Sequence, residues 1–229
     1  MVRPFIGSRK EHFMQRILLI VACAYAAIVC GCASPSLHPL YGPETLTEDP
    51  GLVGEWATEG PTVTRIVVTE AADGRYHGAL TIRRGTETRA SVGLELALTD
   101  IGEDRYVDLF LARADRETLA GHYGFLALPV HQFMMLRRDD NKLRVWAFNA
   151  DWMRRAGAEN RFACEVLPVA GQEMAVVTAT TSSMQQFIER HAHDTNALNP
   201  PMVFHRVGHD EHYADTDGNA PDPATRRTR

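Results

Sequence analysis

The sequence predicts a mainly β fold: an antiparallel small barrel or strongly curved sheet, with two short helices packed on it. Three observations predict it. Apolar residues recur at period two through the central part of the chain. Turn pairs such as Asp73-Gly74 and Asp140-Asn141 separate the runs. Helix-start signals stand out at only two places, before Ala150 and around Ser182.

The cleanest strand places Ala90, Val92, Leu94, Leu96 and Leu98 on one face, with Arg89, Ser91, Gly93, Glu95 and Ala97 on the other. Tyr76, Leu80 and Ile82 alternate with His77, Ala79, Thr81 and Arg83, and Val107, Leu109 and Leu111 with Tyr106, Asp108 and Phe110. Each pattern describes a sheet with one buried and one wetter face. Further strands are expected around Leu52 to Thr58, Val63 to Glu70, Gln132 to Arg138, Leu143 to Phe148, Met174 to Ala179 and Met202 to Val207. Asn149 can cap a helix over Ala150 to Ala156. Ser182 with Gln185 reads as a capping box ahead of Met184, Phe187, Ile188 and His191. Those four form one apolar stripe, and a sheet is the only large partner for it. Phe187 and Ile188, with Trp56, are therefore expected in the core.

The chain has 229 residues, is 45% hydrophobic and 23% charged, and carries a formal charge of -5. Bulk disorder and a nucleic-acid-binding body both fit poorly, because the bases are outnumbered and unclustered. The organisation expected is a signal segment over 1–31, a proline-rich tether over 32–50, one β domain over 51–208 and a disordered polar tail over 209–229.

Arg9, Lys10 and Arg16 precede an uncharged run from Ile17 to Val29 that ends on small residues, the profile of a secretory signal. Val29-Cys30-Gly31-Cys32 resembles the lipobox of bacterial lipoproteins. That resemblance implies cleavage between Gly31 and Cys32, with diacylglycerol and an N-acyl chain such as palmitate attached to Cys32. Two or three acyl chains hold a domain at a bilayer durably. The lipid bilayer is then a partner, and the location is the cell envelope. Ala33 and Ser34 after the cysteine favour the outer membrane, facing the periplasm, by the same resemblance. Cys164 would remain as a lone thiol, so no intramolecular disulfide is expected, and a buried apolar role suits it.

Gly54-Glu55-Trp56 resembles the Gly-x-Trp start of lipocalin-like barrels, which implies a tryptophan packed across a closed barrel end. The stretch from Cys32 to Tyr41, the acids of 44–49, Leu128-Pro129-Val130-His131 and the region from Thr180 to Phe187 together resemble a group of uncharacterised bacterial lipoproteins. That group implies no activity.

Phosphate loops, His-Glu-x-x-His, Gly-x-Ser-x-Gly and Cys-x-x-Cys outside the lipobox region are missing, so no catalytic residue is expected. No cofactor or metal is expected either. On a helix, His191 and His193 point about 200° apart and cannot share an ion with Asp194 unless the helix ends between them. His205, His209 and His212 form a looser set, and Asp139-Asp140 reads as a solvated turn. Arg137 and Arg138 read as surface bases. Trp146 and Phe148 share a face with Arg144, opposite Leu143, Val145 and Ala147, so both faces of that strand are apolar. Either a helix covers the outer face or one face lines a pocket. An apolar pocket is expected first near Phe125, Phe133 and Met135.

The function expected is a non-enzymatic envelope role of a membrane-anchored periplasmic lipoprotein, through protein or lipid contacts. One alternative is a carrier or sensor of a small apolar ligand; another is an envelope enzyme. A dry interior cavity above about 300 Å³ favours the carrier.

Overall fold

A computed structural model describes residues 34–117, 130–169, 172–191 and 193–208. In order, the elements are β1 (Leu46–Thr47), β2 (Gly54–Ala57), β3 (Thr62–Glu70), β4 (Arg75–Arg84), β5 (Glu87–Ile101), β6 (Asp104–Leu111), β7 (His131–Asp139), β8 (Lys142–Ala147), α1 (Ala150–Ala158), β9 (Cys164–Val169), β10 (Gln172–Val177), α2 (Thr181–His191) and β11 (Met202–Arg206). Strands β2 to β8 pair consecutively, and β11 inserts between β8 and β2, closing an eight-stranded antiparallel barrel. The architecture is that of a lipocalin-like barrel, and the curved open sheet gives way to a closed ring. Closure removes both sheet edges, which would otherwise offer unpaired main-chain groups.

Local chemistry sets the hairpins. Asp73 and Gly74 adopt φ values of 60° and 70°, the left-handed pair that a two-residue turn between twisted strands requires. Asp140 does the same at 44°, one residue before Asn141. Strand β5 is long enough to serve two neighbours, pairing with β4 up to Ala97 and with β6 from Leu94 onward. Beyond the reach of β4, β1 takes over that edge at Leu98 and Thr99.

The expected alternation of β4, β5 and β6 holds: Leu80, Ile82, Val92, Leu94, Leu109 and Leu111 all point into the barrel. The segment between β8 and β11 folds back on the outside. Asn149 Oδ1 accepts from Trp152 N–H at 3.0 Å and starts α1. Helix α2 begins one residue before Ser182, with Thr180 Oγ1 accepting from Ser183 N–H at 3.4 Å. Gln185 does not close a capping box; its amide donates to the Leu40 carbonyl at 2.8 Å.

Two apolar clusters result, sharing one wall. The inner cluster holds Trp56, Val68, Leu96, Leu98 and Phe204. The outer one packs Met184, Phe187 and Ile188 of α2, with Trp152 and Met153 of α1, onto Tyr106, Phe133 and Phe148. Cys164 packs half-buried against this outer cluster, and burial pushes its thiol pKa up.

The proline-rich segment expected as a free tether is instead a strap packed on the body from Ser34 onward. Ser36 exchanges main-chain hydrogen bonds with His131, at 2.9 and 2.8 Å, while Leu37 N–H donates to Val177 and Val177 N–H to Pro35. Leu40 is 1% exposed and its N–H donates to Asp108 Oδ2 at 2.6 Å. The prolines suppress regular structure but leave the N–H groups of Ser36, Leu37 and Leu40 free to bond across. Gly31 and Cys32 lie outside the described residues, as do Phe125 and the tail beyond Gly208.

Trp56 is fully buried and its indole N–H donates to the Leu52 carbonyl at 2.8 Å. Replacing it with Ala is expected to destabilise the protein by about 3–5 kcal/mol in urea unfolding, and a loss below about 0.5 kcal/mol would contradict its role as core filler.

Candidate functional site

The barrel interior holds a cavity of about 310 Å³. Its wall comes from alternate residues of β3 to β8 and β11, with Leu52 at one end and Val130, Asn199 and Pro200 at the other. Among the described lining residues only Thr64, Gln132 and Asn199 have polar side chains, and none carries a formal charge. An interior of this size and chemistry suits a small apolar molecule, at the lower end of the range of ligand cavities.

Behind Leu52, at one end of the cavity, Trp56 and Arg206 pack together. The guanidinium of Arg206, from β11, lies 4.3 Å from the centroid of the Trp56 ring. It donates to the Val53 carbonyl at 2.9 Å and also to the Gly51 carbonyl. Gly54 explains the first position of the Gly-x-Trp pattern: its φ is +135°, and a Cβ there would sit 2.5 Å from Arg206 Nη1. A side chain at 54 would therefore be strained and would displace the guanidinium from the indole.

Asp49 fastens the same end. Its carboxylate takes two hydrogen bonds from Arg138, both at 3.0 Å, and one from Gly51 N–H at 3.0 Å. Its own N–H donates to the Tyr76 hydroxyl at 2.7 Å. Burial alone would raise the Asp49 pKa, but the bonds and charge of Arg138, with Gly51 and Arg105, hold it below the ordinary carboxylate value. The neighbouring Arg105 and Arg137 pair with Asp100 and Asp104, so Arg105, Arg137 and Arg138 all have carboxylate partners here.

At the other end, Val130 leads into β7, and residues 113–117, which follow β6, form a helical turn. Gln132 faces the cavity here. The residue is 5% exposed, and neither its Nε2 nor its Oε1 makes a hydrogen bond. On the outer side of the same wall, Asp108 is 1% exposed and shares a 2.7 Å hydrogen bond with His131 Nδ1. Burial pushes the Asp108 carboxyl up despite its bonds to His131 and Leu40. Phe110 stacks on the His131 ring at 4.3 Å, and Arg116 lies 4.2 Å from the Phe110 centroid. The partners described for the His131 ring are the Asp108 carboxylate and the Phe110 ring.

The expected pocket residues fall on the wrong face. Phe133 and Met135 belong to the outer, helix-covered cluster, while their neighbours Gln132, Met134 and Leu136 line the cavity. The error is one step of strand parity, and it arises because both faces of the first half of β7 are covered. Both alternatives posed for β8 are realised together: Leu143, Val145 and Ala147 line the cavity, and Phe148 packs outside under the helices. His191 packs against Trp152 and Phe187, and Asp194 accepts from the Trp152 indole at 2.8 Å. Among the described residues no three His, Cys, Asp or Glu side chains gather as a metal site would require. His205 lies 3.7 Å from Glu59, and His209 and His212 are outside the described residues. Gln132 and Arg206 were not singled out by sequence. For Gln132 the available signal was its parity with Met134 and Leu136; for Arg206 there was none.

Comparison with family models, with curated proteins and with solved structures finds no match to this chain.

The depressed pKa of Asp49 fixes the sign of its pH effect. Its stabilisation is complete above the unfolded value, near 3.8, and is lost as pH falls through the lower folded value. Asp49→Asn is expected to lower the urea midpoint at neutral pH and to show a shallower loss on acidification than the native protein. Parallel pH profiles for the two proteins would overturn this role.

Proposed function

We propose that the barrel binds a small apolar molecule in its interior and serves as a carrier or sensor of it. The observation that carries this reading is the cavity of about 310 Å³, walled mainly by aliphatic side chains and without a charged residue among its described lining. A domain whose only task is to present its outer surface gains nothing from an unfilled interior, because missing contacts weaken a core. Burial of an apolar ligand would supply those contacts and would stabilise the fold by mass action.

Anchoring through Cys32 remains part of the proposal, supported by the charged and apolar run ahead of Val29-Cys30-Gly31-Cys32. An acylated barrel would hold its cavity within reach of a bilayer, the place where apolar molecules collect. Among the described residues no helix is long and apolar enough to cross a membrane.

Two experiments test these points separately. Leu109 points into the cavity, so Leu109→Trp is expected to fill it and to reduce binding of the fluorescent apolar probe naphthalene by about tenfold or more while the protein stays folded by circular dichroism. Undiminished binding would place the probe elsewhere. Cys32→Ala is expected to abolish acyl labelling and release the protein from membranes, and labelling that persists would overturn the assigned modification site.

A further inference from the structure

We infer that Gln132 is the anchor for a ligand head group, and that the ligand is a neutral amphiphile with a carboxamide-like head that both donates and accepts. This rests on the cavity reading above and adds the ligand's chemistry and orientation to it.

Gln132 lies on β7 with its side chain on the cavity wall, and it is 95% buried, being 5% exposed. Its Nε2 and Oε1 are both without a hydrogen bond. A buried amide without partners is costly, and in native proteins such a group calls for a specific explanation. A structural glutamine would be satisfied by the fold, as Gln185 is by the Leu40 carbonyl. Gln132 faces aliphatic neighbours instead, and of the two other polar side chains on the wall Asn199 already donates to the Phe148 carbonyl at 3.4 Å.

The chemistry of the missing partner follows from the amide. Nε2 needs an acceptor and Oε1 needs a donor, side by side, and a carboxamide meets both with one pair of hydrogen bonds. An ionised carboxylate could serve only Nε2, and no Lys, Arg or His among the described lining residues could compensate its charge. Position gives the orientation: Gln132 stands near the start of β7, away from Trp56, and pairs with Leu109. The head therefore sits at the end where Val130 and Asn199 lie, and the apolar part points toward Leu52. A cavity of 310 Å³, divided by the roughly 30 Å³ of a water-sized group, accepts about ten non-hydrogen atoms.

Octanamide has that size and head. Titrating the native protein and Gln132→Leu with octanamide, octanoate and naphthalene near neutral pH tests the anchor. The expected result is octanamide binding at least about tenfold weaker in the variant, with naphthalene bound equally or more tightly. On the native protein, octanoate is expected to bind about tenfold or more weakly than octanamide. Octanamide affinity unchanged by the substitution, or octanoate bound as tightly as octanamide, overturns the anchor while naphthalene binding leaves the cavity reading intact. Equal losses for octanamide and naphthalene also overturn it. Failure of both probes to bind the native protein overturns the cavity reading and the anchor with it. Gln132→Leu removes an unsatisfied amide and is expected to fold with an equal or higher thermal midpoint; Gln132→Met, unbranched like glutamine, supplies a second version of the same test.

Discussion

The contact on which the barrel depends is the one between its first and last long-range partners, Trp56 on β2 and the Arg206 guanidinium on β11. The indole fills one end, and the guanidinium covers it while bonding the carbonyls of Val53 and Gly51. The contact thus braces the β2–β11 seam where the ring closes and ties the turn before β2 to the last strand. Its tolerance for change is small, since the cation has room only because residue 54 lacks a side chain. The short Gly-x-Trp pattern is therefore half of a motif whose other half lies about 150 residues further on.

A second constraint follows from the wall shared by the two clusters. Strands β6 and β7 carry cavity-lining residues on one face and part of the helix-covered cluster on the other, and Phe148, just after β8, joins that cluster. The strap of 34–40 bonds to β7 at His131, to β10 at Val177 and to β6 through Asp108. The helices, the hairpin β9–β10 and the strap all brace the same side of the barrel. This concentrates rigid packing around the strand that bears Gln132, which suits a wall that must hold one polar group in a fixed place.

How much of this was legible depended on whether one face of a strand is wet. In β4, β5 and β6 polar residues marked the outer face over most of their length, so inward residues such as Leu80, Val92 and Leu109 could be named in advance. In the first half of β7 both faces are covered and the alternation vanishes, so the sequence points to Phe133 and Met135 where Gln132 and Met134 line the cavity. Strand β9 is hidden in the sequence because a proline, Pro168, lies within it, and β1 because it is two residues long. The helix over 181–191 was plain from Met184, Phe187 and Ile188, but its cap was not, since Thr180, Thr181, Ser182 and Ser183 all have capping hydroxyls. The Trp56–Arg206 contact was half legible: Trp56 advertises itself, whereas an arginine at the end of a strand looks like any solvated base.

The place of β11 in the chain has a consequence for biogenesis. As a ribosome delivers the polypeptide, β2 to β8 emerge first and can pair as a meander, yet β2 and β8 stay open-edged until residues 202–206 arrive from beyond two helices and a hairpin. Through that interval the nascent sheet presents two sticky borders and an exposed greasy concave face, the features that invite association with other chains. A protein built in this order benefits from a chaperone before its final strand completes the circle.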